Sequence, residues 1–449
     1  GIQNMNDTNR DPGLLYSFDE KPSFVAMLLF ASQYLIPNMI SLLFLILVLQ
    51  QVHIPPLLSA SLISITMIIM AIVNILQALK TKYIGSGMLL PPSIAPPFIP
   101  ASIIAVKTGG LSLLFGMTFM AGIIQTALSF VVKHVKNFIP KEIAALILMQ
   151  IGFELASFGI RTYASLAVPK MPLSNSLLYY GTMALPLMLI LIFDQLCTRA
   201  IQKYSIILAA IISYLAIFFL GYMNPKQIAL ISQSPWVFLP HVFFGKLHFS
   251  FDLSVPFIFA AIICVVKMIG SVSALEEIQV THWKGPDFTR LAKANFIDGL
   301  GTLLAGLFGS VGMNASSSGI ALSLSKGVTS RFIAIPLAFM TFLLAFSPKV
   351  GFILLYIPKA IMAAVLLDMG SALVKSSCLI LLKSIKQFQV ELYVGIGLAV
   401  GLSYCVYPEI YQKLPPYLHL FLGSSIAVSM ICAVGLHLIF KLFKKQAPV

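Results

Sequence analysis

Long apolar runs separated by short polar segments fill almost the whole sequence after residue 22. Most runs are close to the roughly 20 residues that an α-helix needs to cross a bilayer. Taken in order, they predict fourteen membrane-spanning helices between residues 23 and 443, preceded by a polar N-terminal tail at residues 1–22. The predicted fold class is therefore an all-α, multi-pass membrane protein.

Two of these runs contain residues that a continuous lipid-facing helix would not have. They are the third, at residues 87–106, and the tenth, at residues 308–326. The third contains five prolines between residues 91 and 100, and the centre of the tenth consists of glycine, serine and asparagine. Non-helical backbone at membrane depth is tolerated only where it is buried in protein or lines a wet cavity. We predict that each break forms a short strand followed by a half-helix, and that the two strands pair. The alternative is a pair of kinked helices without a site.

The two breaks stand seven spans apart, which predicts two seven-span repeats, residues 23–223 and 255–443. Because seven is an odd number, the second repeat must have the opposite orientation in the membrane, as in inverted-repeat transporters. A polar connection at residues 224–254 joins the repeats and is long enough to carry a short helix. Matching breaks in two such halves point to a substrate site between them.

Composition supports the membrane class, and charge adds an orientation. Hydrophobic residues make up 59% of the chain and charged residues 10%, against roughly a quarter charged in soluble domains. With the N-terminus placed in the cytoplasm, lysine and arginine concentrate in the cytoplasmic loops, as membrane topology requires. This asymmetry predicts that both termini are cytoplasmic, and it explains the net charge of +14 without a nucleic-acid partner.

The sequence lacks the common motifs of catalysis and cofactor binding. The five cysteines have no metal-type spacing, and there is no phosphate-binding P-loop or hydrolase signature. We therefore expect no enzyme activity, no cofactor and no metal. Transport by this chain would be driven by a coupling ion rather than by ATP.

The half-helices after the breaks would direct the partial positive charge of their N-termini at a central cavity. Such a cavity suits a small solute that forms hydrogen bonds or carries partial negative charge. The serines also have a simpler explanation, because serine is a preferred N-cap residue, and capping is compatible with binding. The candidate substrate-binding residues at the two breaks are Phe98, Asn314, Ser316, Ser317 and Ser318.

Two adjacent carboxylates, Glu276 and Glu277, close the eighth apolar run. A carboxylate in or near a span is costly and points to function, although a helix end at the membrane surface would also explain the pair. Both are candidates for proton coupling, and Glu276 also for substrate binding. Lys267 precedes Glu276 by nine residues, which places it on the opposite helix face and not in an ion pair with Glu276. Gln33, a polar residue inside the first span, completes the candidate set.

Four segments of the chain resemble one family of membrane transporters. They are GPDFTRLAKANFIDGLGTLLAGLFGS, IGSG, IGFELA and SPK, at residues 285–310, 84–87, 151–156 and 347–349. They are similar to segments of the nucleobase–ascorbate transporters, also called the nucleobase:cation symporter-2 family. The resemblance implies proton-coupled or sodium-coupled uptake of a nucleobase, such as uracil, xanthine or another purine, by alternating access.

The same resemblance implies how the chain is arranged. A core formed by residues 23–132 and 255–346 would move against a gate formed by residues 139–223 and 350–440. The resemblance also implies a homodimer that contacts through the gate. The setting would be a cell membrane, for a bacterium the inner one, with lipid and the base as partners.

Compared residue by residue, Glu276 matches the substrate-binding glutamate of the family. Gln33 matches the glutamine of a Gln-His pair, with Tyr34 in the histidine position. At the second break, the family has an acid or amide where this chain has a serine, Ser317 or its neighbour. The serine-rich break favours an alternative, an anion transporter of the sulfate-permease type, which shares the two-repeat architecture. Glu276 fits that alternative less well.

Overall fold

The structure is a computed structural model of the 449-residue chain. The first twelve residues of the predicted polar tail, and residues 350–356 at the start of the predicted twelfth span, lie outside the described residues. The described residues are 13–49, 51–52, 54–132, 141–166, 173–202, 205–223, 225–241, 247–251, 253–279, 283, 285–349, 357–384, 388–415, 418, 422 and 425–446.

Helices dominate the described chain, and two three-residue strands interrupt them. The strands are β1 (Pro92–Ile94) and β2 (Met313–Ala315), and short 3₁₀ helices cover Pro96–Phe98 and Arg331–Ile333. The helices are α1 (Phe24–Leu49), α2 (Pro56–Ala78), α3 (Ile99–Val131), α4 (Lys141–Ala164), α5 (Leu173–Leu196), α6 (Arg199–Gln202), α7 (Ser205–Phe219), α8 (Pro225–Gln233), α9 (Ser254–Glu277), α10 (Phe288–Phe308), α11 (Ser317–Lys326), α12 (Ala334–Ala345), α13 (Lys359–Ser384), α14 (Phe388–Val406), α15 (Pro408–Gln412) and α16 (Ser425–Gln446).

Eight of the described helices are long and apolar enough to cross a membrane, namely α2 to α5, α9, α10, α13 and α14. Four shorter apolar stretches lie in α1, α7, α12 and α16. The class of a multi-pass helical membrane protein is thus confirmed. The total of fourteen spans and the inverted relation of the two halves stay predictions. Helix α8 is the short helix expected in the connection between the halves.

The helices pack in two groups. The first group contains α1, α2, α3, α9, α10, α11 and α12, and the second contains α4, α5, α7, α13, α14 and α16. The groups meet where α9 contacts α4 and where α11 contacts α13. The assignment of these groups to a moving core and a gate stays a prediction.

Glycine allows the most extensively packed helices of both groups to approach closely. A Cβ added to Gly306 of α10 would lie 2.2 Å from the backbone nitrogen of Phe119 on α3. In the second group, a Cβ on Gly370 of α13 would lie 2.7 Å from the carbonyl oxygen of Gly152 on α4. Small residues let membrane helices pack closely, and this packing stabilises their association because the hydrophobic effect does not drive helices together inside lipid. The α3–α10 contact is the one relevant to the site, because α3 follows the first break and α10 precedes the second.

Helix α3 is kinked at Gly110, where φ is 67° and ψ is −164°. Glycine adopts a positive φ of this kind freely, whereas a residue with a side chain does so at a cost. The kink coincides with the predicted boundary between the third and fourth spans. The two predicted spans are therefore two helical segments that continue into each other across one glycine.

The two interrupted runs meet between α1, α2, α9 and α10. Their strands pair antiparallel, and every residue of both strands is buried. The prediction of two short, paired strands, each followed by a half-helix, is confirmed, and the alternative of two kinked helices is excluded. The register places Pro92 opposite Ala315, Ser93 opposite Asn314 and Ile94 opposite Met313.

Candidate functional site

Hydrogen bonds of the strand pair continue beyond the three paired positions. The N–H of Ala95 donates to the carbonyl oxygen of Gly312 at 2.9 Å. At the other end, the N–H of Ser316 donates to the carbonyl oxygen of Pro91 at 2.7 Å. These bonds carry the ladder into the turns that begin the two half-helices. The irregular backbone at both breaks is thus hydrogen-bonded inside the protein, as its depth requires.

Helix α10 binds the outer edge of β2 with side chains. Asp298 Oδ2 accepts the N–H of Ala315 at 2.7 Å. Thr302 Oγ1 accepts the N–H of Met313 at 3.0 Å. Residues four apart share one face of a helix, and N–H groups two residues apart on a strand point to the same edge. Helix α10 therefore takes the place of a third strand.

Asp298 is almost fully buried, with 1% of its surface exposed. Its other oxygen, Oδ1, accepts a hydrogen bond from Gln77 Nε2 on α2 at 3.0 Å. The same amide also donates to the carbonyl oxygen of Ala294 at 2.9 Å. Both oxygens of this carboxylate are engaged, which is how a protein keeps a charged group out of water.

Lys267 on α9 brings a buried ammonium to the same strand. The residue is 3% exposed, and its Nζ donates to the carbonyl oxygen of Ala315 at 3.2 Å. One residue back on β2, Asn314 Nδ2 donates to the carbonyl oxygen of Cys264 at 3.0 Å. These two bonds fix α9 along β2, beside the start of α11.

Half-helix α11 begins next to this ammonium. Ser316 is its N-cap, and Ser316 Oγ accepts the N–H of Gly319 at 3.0 Å and lies 3.1 Å from Ser318 Oγ. Ser317 and Ser318 are half-buried, and the N–H groups in the first turn of a helix have no intrahelical acceptor. The capping explanation is confirmed for Ser316. Substrate binding by the three serines stays a prediction.

At the first break, the start of the following half-helix is apolar. Phe98 is fully buried and packs against Phe257 of α9, with ring centroids 6.1 Å apart. A Cβ added to Gly312 would lie 2.3 Å from Cδ2 of the Phe98 ring. Helix α3 starts without a side-chain cap. Phe98 therefore fills the space behind β2, and a contact between Phe98 and substrate stays a prediction.

Glu276 lies at the C-terminal end of α9, away from the strand pair. Nine residues of helix place it about 13 Å along the axis from Lys267. Its Oε1 pairs with Arg290 Nη1 at 3.3 Å, and its Oε2 accepts the N–H of Asp287 at 2.9 Å. These are the contacts of a helix-end ion pair, and Glu277 beside it is also buried. The substrate and proton roles of these two glutamates stay predictions.

Gln33 is fully buried on α1, which packs against β1. The next residue, Tyr34, connects α1 to the half-helix, since its hydroxyl lies 2.7 Å from Ser323 Oγ on α11. Tyr34 also donates to the carbonyl oxygen of Val328 at 3.1 Å. Helix α1 thus contacts the C-terminal half of α11, away from the N-cap. A direct substrate role for Gln33 stays a prediction.

Lys267, Asp298 and Thr302 were not among the sequence-predicted site residues, although each contacts β2 directly. Signals for them exist in the sequence. Lys267 is an isolated charge within a long apolar run, and Asp298 and Thr302 have the four-residue spacing of one helix face.

Comparison with known proteins identifies related sequences. A family model described as "Permease family" matches residues 27–410. The chain is 23% identical over 442 residues to the xanthine permease XanP of Escherichia coli K12, covering 95% of this chain and 94% of XanP. It is also 23% identical over 393 residues to the nucleobase transporter PlUacP of Paenibacillus larvae, covering 86% of this chain and 88% of PlUacP.

A solved structure with a similar fold is that of murine solute carrier 26 family member A9, an anion transporter in the inward-facing state. The TM-score is 0.54 with 11% sequence identity, and the match covers 95% of this chain and 70% of that chain. At this identity the likeness concerns the fold alone.

Proposed function

This chain belongs to the permease family whose model matches residues 27–410, and from that premise we propose that it carries a xanthine-like nucleobase across a membrane. The chain is a transporter and not an enzyme. Relatives named as a xanthine permease and a nucleobase transporter support this class of solute. The observation that carries the proposal is the convergence of Lys267, Asn314 and the N-terminus of α11 at the end of β2.

We propose that the base binds where β2 ends and α11 begins. A nucleobase presents acceptors and N–H donors on one flat ring, so its site needs both kinds of group. The ammonium of Lys267, the N–H groups of Ser317 and Ser318 and the hydroxyls of Ser316 to Ser318 supply donors. Asn314 Oδ1 supplies an acceptor, because it is fully buried and has no donor among the described residues. Gln33 and Phe98 would shape the sides of this site.

The proposed mechanism is alternating access by movement of the first helix group, the core, against the second, the gate. The site supports it by its position, because α9 contacts α4 and α11 contacts α13 of the other group. At the far end of α11, Lys326 Nζ pairs with Asp194 on α5 at 2.6 Å. A shift between the groups would break this ion pair and open the site toward one side of the membrane.

The coupling ion that we propose is a proton, with Glu276 and Glu277 as its candidate carriers and sodium as the other possible ion. We propose the inner membrane of a bacterium as the setting, with both termini in the cytoplasm, and a homodimer that contacts through the gate. The concentration of lysine and arginine in alternate loops supports the orientation.

The test is uptake of labelled xanthine, uracil, adenine and guanine into proteoliposomes that contain the purified chain, with and without an inward proton gradient. We expect saturable uptake of at least one base, stimulated by the gradient. Glu276→Gln and Glu277→Gln are assayed separately for uptake and for base binding. A variant that loses stimulation but still binds the base identifies the proton carrier, whereas loss of binding in Glu276→Gln supports its predicted role in substrate binding. Absence of uptake of every base by folded protein would contradict the proposal.

A second candidate function is transport of a small organic or inorganic anion. The observation that favours it is the buried ammonium of Lys267 beside a helix N-terminus, since both attract negative charge. The same proteoliposomes, loaded for sulfate and bicarbonate exchange, test it directly. Anion uptake without base uptake would replace the first proposal.

A further inference from the structure

Resting on the proposed function, we propose that Lys267 selects the ionised form of the base, so that the permease binds an oxopurine as its monoanion. The anionic edge of the ring lies between the Lys267 ammonium and the N-terminus of α11, and Asn314 accepts an N–H of the same ring. A neutral base cannot compensate the ammonium. An inorganic anion such as sulfate has no N–H for Asn314.

The burial of Lys267 is the first step. Its exposed fraction is 3%, and a charge at membrane depth is retained only where a partner or a function compensates its cost. An ammonium has three N–H donors. Within the described residues its hydrogen-bond acceptor is the carbonyl oxygen of Ala315. Two donors therefore remain for a ligand.

The neighbouring carboxylates do not neutralise this ammonium directly. Asp298 on α10 and Glu154 on α4 interact with Lys267 electrostatically, and Cys264 faces it from the same helix. In the part of the chain that the structure describes, neither carboxylate is within the 4.0 Å of an ion pair with Lys267. Both oxygens of Asp298 already accept other donors, from Ala315 and Gln77. The two carboxylates act on Lys267 only at longer range, so direct pairing with its ammonium is open to a bound anion.

The start of α11 adds to the same positive field. The carbonyl that accepts from Lys267 belongs to the peptide unit that joins Ala315 to Ser316, the N-cap of the half-helix. Helix N-termini carry partial positive charge and bind anions through their free N–H groups. The ammonium and the first turn of α11 therefore attract negative charge to the same position.

Asn314 decides between a heterocyclic anion and an inorganic one. Its Nδ2 is used in the bond to Cys264, whereas its Oδ1 is buried and without a donor among the described residues. A buried acceptor left unpaired costs free energy, which a ring N–H would recover. An oxopurine monoanion offers both an ionised edge and ring N–H groups, so it fits the donors and the acceptor together.

The experiment is equilibrium binding of labelled urate and hypoxanthine to the purified full chain in detergent at neutral pH. Urate is a monoanion under these conditions and hypoxanthine is neutral, while both are oxopurines of similar size. We expect the unmodified protein to bind urate at least roughly tenfold more tightly, the effect of one charge-assisted hydrogen bond. This ratio requires no variant, so it is independent of what a substitution does to folding. Because urate also carries two more carbonyl groups than hypoxanthine, the Lys267 variants are needed to assign the preference to charge.

Variants assign the preference to one side chain. Lys267→Gln keeps a donor but removes the charge, and we expect it to weaken urate binding by roughly tenfold to a hundredfold. Its effect on hypoxanthine should stay under about threefold on the same basis. Lys267→Arg keeps the charge and should keep most of the urate preference. Lys107→Gln, which removes an exposed lysine from α3, is the matched control.

The outcomes separate this inference from the proposed function. Hypoxanthine bound as tightly as urate, or an equal loss of both ligands in Lys267→Gln, would overturn the inference and make Lys267 a structural counter-charge. In that case base transport still stands. If neither oxopurine binds, nor uracil or adenine, the proposed function fails with it. We also expect sulfate not to compete with urate, and competition at equal affinity would count against the role of Asn314.

Discussion

The two interrupted spans share an outline, a three-residue strand followed by a helix, but they differ in chemistry. The first is built from prolines and Phe98, and its helix starts without a side-chain cap. The second is built from asparagine and serine, and its helix starts on the Ser316 cap. This difference supports the proposal that the base binds at the second break, and it suits the first break to a supporting role.

The anchoring of the two strands follows the same division. Strand β1 begins with Pro92, which has no N–H and so leaves one donor fewer at its outer edge. Strand β2 keeps the N–H groups of Met313 and Ala315 and satisfies them with Thr302 and Asp298. Packing is enough to hold the apolar strand, whereas the polar strand needs specific side-chain partners. Substitutions should therefore affect the two strands differently.

The largest effect is expected at Asp298, which anchors the polar strand. Asp298→Ala leaves the N–H of Ala315 without its acceptor and removes one of the two acceptors of the Gln77 amide, which keeps its bond to Ala294. We expect it to lower the free energy of unfolding by about 3 kcal/mol, because each buried donor loses a charge-assisted partner. Asp298→Asn keeps one acceptor oxygen and should lose about half as much. Chemical denaturation of the purified chain in detergent measures both, and an alanine variant as stable as the unmodified protein would show that β2 is held by packing alone.

The contact between the two breaks gives the next effect. A Cβ at Gly312 would lie 2.3 Å from the Phe98 ring, which is fully buried and cannot move into solvent. Gly312→Ala should cost about 2 kcal/mol through overpacking. The double variant Gly312→Ala with Phe98→Leu should recover part of this loss, because the smaller side chain makes room. Additive losses in a double-mutant cycle would mean that Gly312 and Phe98 are not sterically coupled.

The cap of α11 gives a smaller effect. Ser316→Ala removes the acceptor for the N–H of Gly319 and should cost about 1 kcal/mol. Ser316→Asn restores a capping oxygen and should restore the stability. Ser317→Ala, one position further into the helix, serves as the matched control with a change of less than about 0.5 kcal/mol. Thermal unfolding ranks the three variants, and equal losses at Ser316 and Ser317 would contradict the capping role.

Local sequence patterns predicted the breaks well. Clustered prolines in one run, and glycine, serine and asparagine in the other, exclude a continuous helix on local grounds. The predicted pairing of the two strands is confirmed, whereas the seven-span spacing of the breaks stays a prediction. The cap at Ser316 was also predictable, because capping depends on a few consecutive residues.

The partners of the polar strand were not predictable in the same way. Lys267 reaches a carbonyl 48 residues further along the chain, and such a contact depends on the tilt and axial position of α9. Apolar periodicity does not determine either quantity. Glu276 was predicted because a carboxylate near a span is costly. The structure places it at the end of α9 in an ion pair with Arg290, and its role in the site stays a prediction. The family resemblance pointed to the same residue through a local motif.

The smallest effect is expected at Ser93, which faces Asn314 directly across the two strands. Ser93 Oγ donates to the carbonyl oxygen of Asn314 at the long distance of 3.4 Å, while the Asn314 amide makes a 3.0 Å bond to α9. Ser93→Ala should therefore change the free energy of unfolding by less than about 0.5 kcal/mol, and Asn314→Ala should lower it by about 1.5 kcal/mol. The residues are opposite partners in one register, so the strand environment is matched. A loss at Ser93 as large as that at Asn314, measured by denaturation, would mean that the first break contributes polar contacts too, and that the binding groups are shared between the two spans.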